Sequence, residues 1–144
     1  PQEVYDFIED WCEYGEPSFD TALRVTEVRA EYFLQEQQGK QSSKIVTPDS
    51  LPSRNDELGG FVWLPRIITK AQAKLRGEMS PEIMFGCAWD RAFLQEVGID
   101  LVQFLRVVWS AGDDRKRIEK YVRTSADFHE TLLPYHLKLF KNIA

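Results

Sequence analysis

The sequence has few of the residues that most often carry out chemistry. Only two cysteines and two histidines occur among its 144 residues, and Cys12 and Cys87 lie far apart. Secreted disulfide-rich domains of this size normally have more cysteines at closer spacing, so we predict two reduced, packed thiols in a cytoplasmic protein. The chain begins at Pro1 instead of methionine, which leaves open whether a further segment, such as a removed signal peptide, precedes it.

Long apolar runs and compact catalytic motifs are also missing. No run approaches the roughly 18 apolar residues that cross a bilayer, so we expect no membrane span. The sequence contains no phosphate-cradling glycine loop, Gly-x-Ser-x-Gly elbow, His-Glu-x-x-His pair or Cys-x-x-Cys pair, and we therefore predict no cofactor. These absences do not exclude an active site assembled from residues that are distant in sequence.

Basic residues are scarce at the start of the chain. Residues 1–36 contain ten acidic and two basic residues, a balance of −8, whereas residues 37–144 contain thirteen acidic and sixteen basic residues, a balance of +3. The net charge of −5 and the pI of about 5.1 argue against nucleic acid as the main partner, because phosphate binding needs a concentrated cationic surface. The asymmetry predicts either a solvated acidic face or an acidic segment that lies on a basic patch of the same or another molecule.

Apolar residues are abundant enough to form a core. They make up 43% of the chain, with 12% aromatic residues, and they recur at helical spacing over most of its length. We predict a single all-α domain of six to eight helices, with one short extended segment at 80–87, where Ile83, Phe85 and Cys87 alternate. The predicted parts are an acidic helical hairpin (1–38), an irregular connector (39–60) and a helical core (61–144).

Glycines and aspartates mark the predicted helix ends. Asp90 and Asp100 each precede a run of helically spaced apolar residues, so their carboxylates are expected to accept unpaired backbone N–H groups at helix N-termini. Asp113 or Asp114 is expected to do the same for the next helix, which continues through Ile118, Tyr121 and Val122. A separate final helical region, 127–142, contains Pro134, which should kink or divide it. Four glycines are expected to end helices: Gly39, Gly77, Gly98 and Gly112.

An ordered set of residues between positions 64 and 123 resembles a known family. The set comprises Leu64-Pro65-Arg66, Lys70, Leu75-x-Gly77, Cys87-x-x-Asp90, Gly98-Ile99-Asp100, Phe104, Asp113 or Asp114, and Val122. In order and spacing it resembles the uncharacterised bacterial family called domain of unknown function 5069, except that Thr69 stands where an acid is expected before the lysine. The resemblance implies a bacterial, cytoplasmic protein and no particular reaction.

Cys87 is the candidate nucleophile. A thiolate is favoured near a helix N-terminus or a cation, and Cys87 precedes the predicted helix that contains Arg91. A cysteine enzyme also needs an acid–base partner, for which Asp90, His129 and His136 are the candidates. The alternative is a buried, inert thiol.

The two histidines are candidate metal ligands. His129 and His136 are seven residues apart, so they would share one face of a continuous helix. Metal sites on helices normally pair ligands three or four residues apart and add a third strong ligand, so we predict no metal site. One histidine on a packed face and the other in solvent is the expected arrangement.

A basic strip is the candidate ligand site. Arg66, Lys70 and Lys74 recur every four residues and, together with Arg91, would form a pocket for a carboxylate or a phosphate. The alternative is a solvated face that pairs with the acidic segment. Three aromatic residues are expected to line the pocket: Trp63, Phe85 and Trp89.

These observations favour a non-catalytic binding or protein-interaction module with a small anionic-ligand pocket. The alternative function is a small enzyme that uses Cys87 as a nucleophile or acid–base residue. The expected partner is a protein or a small anionic ligand, and the sequence predicts no oligomeric state. A second basic cluster, at 115–123, is interrupted by acids and lacks interleaved exposed aromatic residues, so nucleic-acid binding is not expected there.

Overall fold

The computed structural model describes the backbone of residues 2–143 and the side chains of residues 4–132. Within this part of the chain there are six α-helices, which confirms the predicted all-α class. None of the helices described there is both long and apolar enough to cross a membrane. The elements are α1 (Gln2–Tyr14), α2 (Phe19–Gln35), β1 (Glu57–Leu58), β2 (Phe61–Val62), α3 (Leu64–Arg76), α4 (Ala88–Val97), α5 (Leu101–Ala111) and α6 (Arg115–Ile143).

The core lies between α2, α3 and α5, which pack against one another, and α6 packs across α4 and α5. Each of these helices has an apolar stripe at helical spacing, and burying such stripes is the main favourable term in folding. The apolar side chains below 2% exposure come from four helices and the turn before α4: Val25, Val28, Leu64, Ile67, Ile68, Ala71, Phe85, Phe104, Leu105, Val108, Ile118 and Val122.

Most of the predicted helix ends are confirmed. Gly77 and Gly98 follow α3 and α4 in the left-handed conformation, and their N–H groups bond to carbonyl oxygens of the preceding turn. Oδ1 of Asp100 accepts the Gln103 N–H at 2.7 Å, and Oδ1 of Asp114 accepts the Arg117 N–H at 3.2 Å. These carboxylates therefore satisfy donors that a helix N-terminus leaves unpaired.

The prediction that Asp90 is an N-terminal cap is wrong. Cys87 occupies the capping position of α4, and Asp90 lies inside the first turn. Its carboxylate reaches back to the N–H of Gly86, at 2.9 Å, instead of to a residue ahead of it. The helix therefore begins at Ala88, before Asp90. The Asp90 side chain bonds to Gly86 in the preceding turn and to Lys70 of α3.

The predicted extended segment at 80–87 is also wrong. The segment consists of turns, and the only bridge near it joins Val46 to Met79. The described residues instead form a small antiparallel hairpin, β1 with β2, across the boundary between the predicted connector and the predicted helical core. Gly59 and Gly60 make its turn with positive φ values of +59° and +84°, which is the geometry that two-residue hairpins require.

Two further boundaries differ from the prediction. Helix α2 ends at Gln35, and Gly39 follows a short turn in which its N–H bonds to the carbonyl of Phe33. Helix α6 is one continuous helix that includes positions 123–127 and 134, so the predicted separation of two helical regions and the predicted division at Pro134 are wrong. A proline removes one N–H bond from a helix, but the bonds on either side of it can carry the helix onward.

Candidate functional site

A buried ion pair joins α3 to α4. Nζ of Lys70 lies 2.6 Å from Oδ2 of Asp90, and the two side chains are 5% and 0% exposed. Removing two charges from water is costly, so such a pair persists only when hydrogen bonds satisfy its remaining donors and acceptors. The basic strip predicted on α3 is therefore not a solvated face at its centre, because Lys70 points into the protein.

Both oxygens of Asp90 have partners. Oδ2 accepts the Lys70 ammonium and the Gly86 N–H, and Oδ1 accepts Nε1–H of Trp63 at 2.8 Å. Hydrogen bonds to an ionised acceptor are shorter and stronger than neutral ones. The carboxylate therefore holds together the start of α3, the middle of α3 and the turn before α4.

Trp63 is held in an unusual backbone conformation. It precedes α3 with φ +79° and ψ −22°, a left-handed geometry that costs a bulky residue about 1–3 kcal/mol. Besides the bond to Asp90, cations lie over its ring, with Cζ of Arg66 at 5.5 Å and Nζ of Lys70 at 6.0 Å from the centroid. Such strain persists only where surrounding contacts over-determine the position, and it is often found at functional sites.

A cavity of roughly 490 Å³ opens beside Trp63. We call it the tryptophan groove. The ring centroids of Trp63 and Trp89 are 6.1 Å apart with a tilt of 32°, and Trp89 is 65% exposed. The groove is lined by Arg54, Asn55, Val62, Trp63, Trp89, Ala92, Phe93 and Glu96.

Cys87 adjoins the buried pair but not the groove. It is half-buried, and its Sγ lies 3.4 Å from Nζ of Lys70. The cation near the sulfur is thus Lys70 and not the expected Arg91. Because the same ammonium already pairs with Asp90, the sulfur shares its cation with a carboxylate.

The cations predicted to bind an anion are engaged within the chain. Nη1 of Arg66 donates to the carbonyl of Pro52 at 2.8 Å. Nη1 of Arg91 donates to the carbonyl of Gly86 at 2.8 Å and to Oδ2 of Asp10 at 3.1 Å. The acidic amino-terminal segment therefore meets a basic residue of the same molecule, Arg91 of α4. Arg66 and Arg91 are therefore bonded to groups of the protein itself.

The match to a family model covers this whole region. Residues 49–131 match the model described as Domain of unknown function (DUF5069). The chain belongs to this family. The resemblance predicted from residues 64–123 is therefore confirmed. The match also includes the β1–β2 hairpin and all the residues that line the tryptophan groove. No curated protein and no solved structure matched the chain.

His129 is the histidine of this DUF5069 protein whose side chain the structure describes, and it does not line a cavity together with Cys87. His129 lines a second cavity of roughly 660 Å³ with Phe61 and Glu130, and Cys87 lines neither this cavity nor the groove. The side chain of His136 lies outside the described residues. Among the described side chains, no group of three or more potential ligands is arranged to hold a metal ion.

The sequence contains an indication that Lys70 is buried, which the prediction of a basic strip on α3 overlooked. Lys70 lies three residues after Ile67 and one before Ala71, within the stripe expected to face the core. A lysine there must either be exposed by local geometry or meet a buried acid. The identity of that acid and the bond to Trp63 depend on contacts across 20 and 27 residues, which periodicity cannot reveal. Phe85, expected to line a pocket, lies in the core.

Proposed function

We propose that this bacterial DUF5069 protein is a cytoplasmic, non-catalytic binding module and that its ligand occupies the tryptophan groove. The observation that carries the proposal is the fixation of Trp63. A buried ion pair and a left-handed backbone both oppose folding, and both hold this one indole against an open cavity. Because the indole is already fixed, the protein loses less side-chain entropy when a ligand binds to it.

The lining of the groove favours a flat, largely apolar ligand with one anionic group. Trp63, Trp89 and Phe93 supply aromatic surface, and ligand sites of this size are mostly apolar with a few polar groups. Arg54 is exposed at the rim, where its guanidinium would meet a carboxylate or sulfonate. The half-buried Arg66 and the buried Lys70 lie over the indole and do not need to touch the ligand.

Two matched dyes test the ligand chemistry. Anilinonaphthalene sulfonate has a flat aromatic body and one negative charge, and phenylnaphthylamine has the same body without the charge. We expect both dyes to bind with a rise in fluorescence, and Trp89→Ala to abolish that rise. Arg54→Gln should weaken only the anionic dye.

The control variant is Trp11→Ala. Trp11 is 46% exposed on α1, does not line the groove and offers an alternative apolar surface. If Trp11→Ala removes dye binding while Trp89→Ala leaves it intact, the ligand does not occupy the tryptophan groove. Equal loss of both dyes in Arg54→Gln would contradict the proposed anionic contact.

The cysteines support the cytoplasmic part of the proposal. Cys12 is exposed and Cys87 is half-buried, and neither forms a disulfide. Exposed free thiols are typical of compartments where they are kept reduced. The bacterial origin is proposed from the family resemblance.

One observation favours the second candidate function, an enzyme that uses Cys87. The sulfur lies at the N-terminus of α4, 3.4 Å from a lysine ammonium, and nucleophilic cysteines are found in such positions. The test is the rate of iodoacetamide labelling in a Cys12→Ser background, with and without Lys70→Met. If folded Cys87 reacts no faster than unfolded Cys87 at the same pH, this function is excluded.

A further inference from the structure

Three arginines from three helices line a third cavity, distinct from the tryptophan groove and from the cavity lined by His129. We call it the arginine cleft. The cleft has a volume of roughly 460 Å³ and lies between α2, α5 and α6. Arg24, Arg106 and Arg117 line it, each from a different one of these helices. None of the three lines the tryptophan groove, so the cleft is independent of the proposed function.

The guanidinium groups of the cleft retain donors. Arg106 bonds to both carboxylate oxygens of Glu31, at 3.1 and 3.5 Å, and Arg117 bonds to the carbonyl and hydroxyl of Ser110, at 3.3 and 3.4 Å. A guanidinium has five N–H groups, so each of these arginines has further donors. Arg24 adds a third guanidinium and is exposed.

Acids only partly balance this charge. Asp100 is an acidic residue lining the cleft, and its Oδ1 accepts the Gln103 N–H at the start of α5. Glu31 does not line the cleft but neutralises Arg106. An anion with more than one charge and several acceptor oxygens would therefore find more donors here than a single carboxylate can use.

The rest of the cleft is apolar. Val102, Val107 and Ala111 line it from α5. The ring of Tyr121 lines the cleft as well, and its hydroxyl accepts a hydrogen bond from Gln103. The cavity volume is within the range of about 300–1,000 Å³ that is typical of small-ligand sites.

We propose that the arginine cleft binds a small phosphate monoester whose ester group is apolar or aromatic. The phosphate dianion pairs with Arg24 and Arg117, and with Arg106 when Glu31 releases it. Arginine forks match the geometry of phosphate oxygens, so this arrangement favours phosphate over a carboxylate. The ester group packs on the apolar residues of α5 and beside Tyr121.

Calorimetric titration with phenyl phosphate tests the site. We expect phenyl phosphate to bind more tightly than benzoate, which has the wrong anion, and more tightly than inorganic phosphate, which has no apolar body. Arg24→Gln and Arg117→Gln should each weaken binding about tenfold or more, since each removes a charged hydrogen-bond donor. Glu31→Gln should strengthen binding, because it frees Arg106.

The matched control is Lys116→Gln. It removes the same charge at the residue next to Arg117, but Lys116 is exposed and does not line the cleft. An equal loss of affinity in Lys116→Gln would show a general charge effect and overturn the site. Circular dichroism of each variant separates lost binding from lost folding, and Glu31→Gln must act in the opposite direction to the arginine variants.

Other outcomes would also overturn the proposal. Absence of heat at millimolar phenyl phosphate would do so, as would equal affinity for benzoate. If Trp89→Ala abolishes phenyl phosphate binding and Arg24→Gln does not, the ligand occupies the tryptophan groove instead. Sedimentation with vesicles containing phosphatidic acid, without binding of phenyl phosphate, would assign the arginines to a lipid headgroup.

Discussion

Nε1 of Trp63 lies 2.8 Å from Oδ1 of the buried Asp90, although 27 residues separate the two along the chain. This bond connects the open groove to the most deeply buried charge in the described part of the chain. Since Asp90 also pairs with Lys70, the orientation of the indole depends on α3 and α4 packing correctly. Changes at the buried pair should therefore reach the groove through Trp63.

Trp63→Phe should destabilise the protein by roughly 1–3 kcal/mol, because it leaves a buried carboxylate oxygen without its donor. Urea denaturation measures the free energy of unfolding. The matched control is Trp89→Phe, since Trp89 is 65% exposed and its change should stay within about 0.5 kcal/mol. Equal effects of the two substitutions would mean that the hydrogen bond to Asp90 contributes nothing.

The Lys70–Asp90 pair should be strongly coupled. Asp90→Asn or Lys70→Met alone leaves one charge buried without its partner and should cost roughly 3–5 kcal/mol. The double variant Lys70→Met/Asp90→Asn should cost at least about 1 kcal/mol less than the sum of the single variants. Denaturation of all four proteins in one double-mutant cycle checks this, and simple additivity would contradict the buried pairing.

Asp114→Ala should destabilise the start of α6. Its Oδ1 accepts the Arg117 N–H, and losing such a cap costs about 0.5–2 kcal/mol. Asp113→Ala is the control one residue away, because the Asp113 side chain is 95% exposed with only a long ion pair to Arg76. Thermal denaturation should show a lower Tm for the first variant and little change for the second.

Gly98→Ala should be more damaging than Gly39→Ala. Both glycines have positive φ values, +72° and +75°, but a Cβ at Gly98 would lie 2.9 Å from His129, whereas a Cβ at Gly39 meets nothing within 4 Å. The left-handed conformation costs each alanine about 1–2 kcal/mol, and the difference between the variants measures the contact with His129. Adding His129→Ala should restore part of the stability of Gly98→Ala.

Local signals in the sequence predicted local structure well. Gly77 and Gly98 end helices because only glycine adopts positive φ without strain, and Asp100 caps α5 because its side chain bonds to a nearby N–H. The same reasoning misplaced Asp90, which looks like a cap in sequence. Its bond to Gly86 is local, but its position in the first turn depends on Lys70 from another helix.

Four residues that the sequence singled out lie close together in the structure. Trp63, Lys70, Cys87 and Asp90 were all singled out from the sequence, and the structure brings them together. Their arrangement differs from the expected anion pocket, since Lys70 pairs with Asp90 and Arg66 bonds to a carbonyl. Sequence patterns show which residues share a helix face, but they do not show which charges of different helices meet.

The sequence by itself determined the helical class, most helix ends and the family, because these depend on spacing and on bonds between residues a few positions apart. Only the tertiary structure decided that Lys70 is buried on Asp90, that Trp63 is fixed in a left-handed conformation and that three arginines share one cleft. Each of these depends on the packing of separate helices. Which side chains that packing brings into contact is a property of the whole chain.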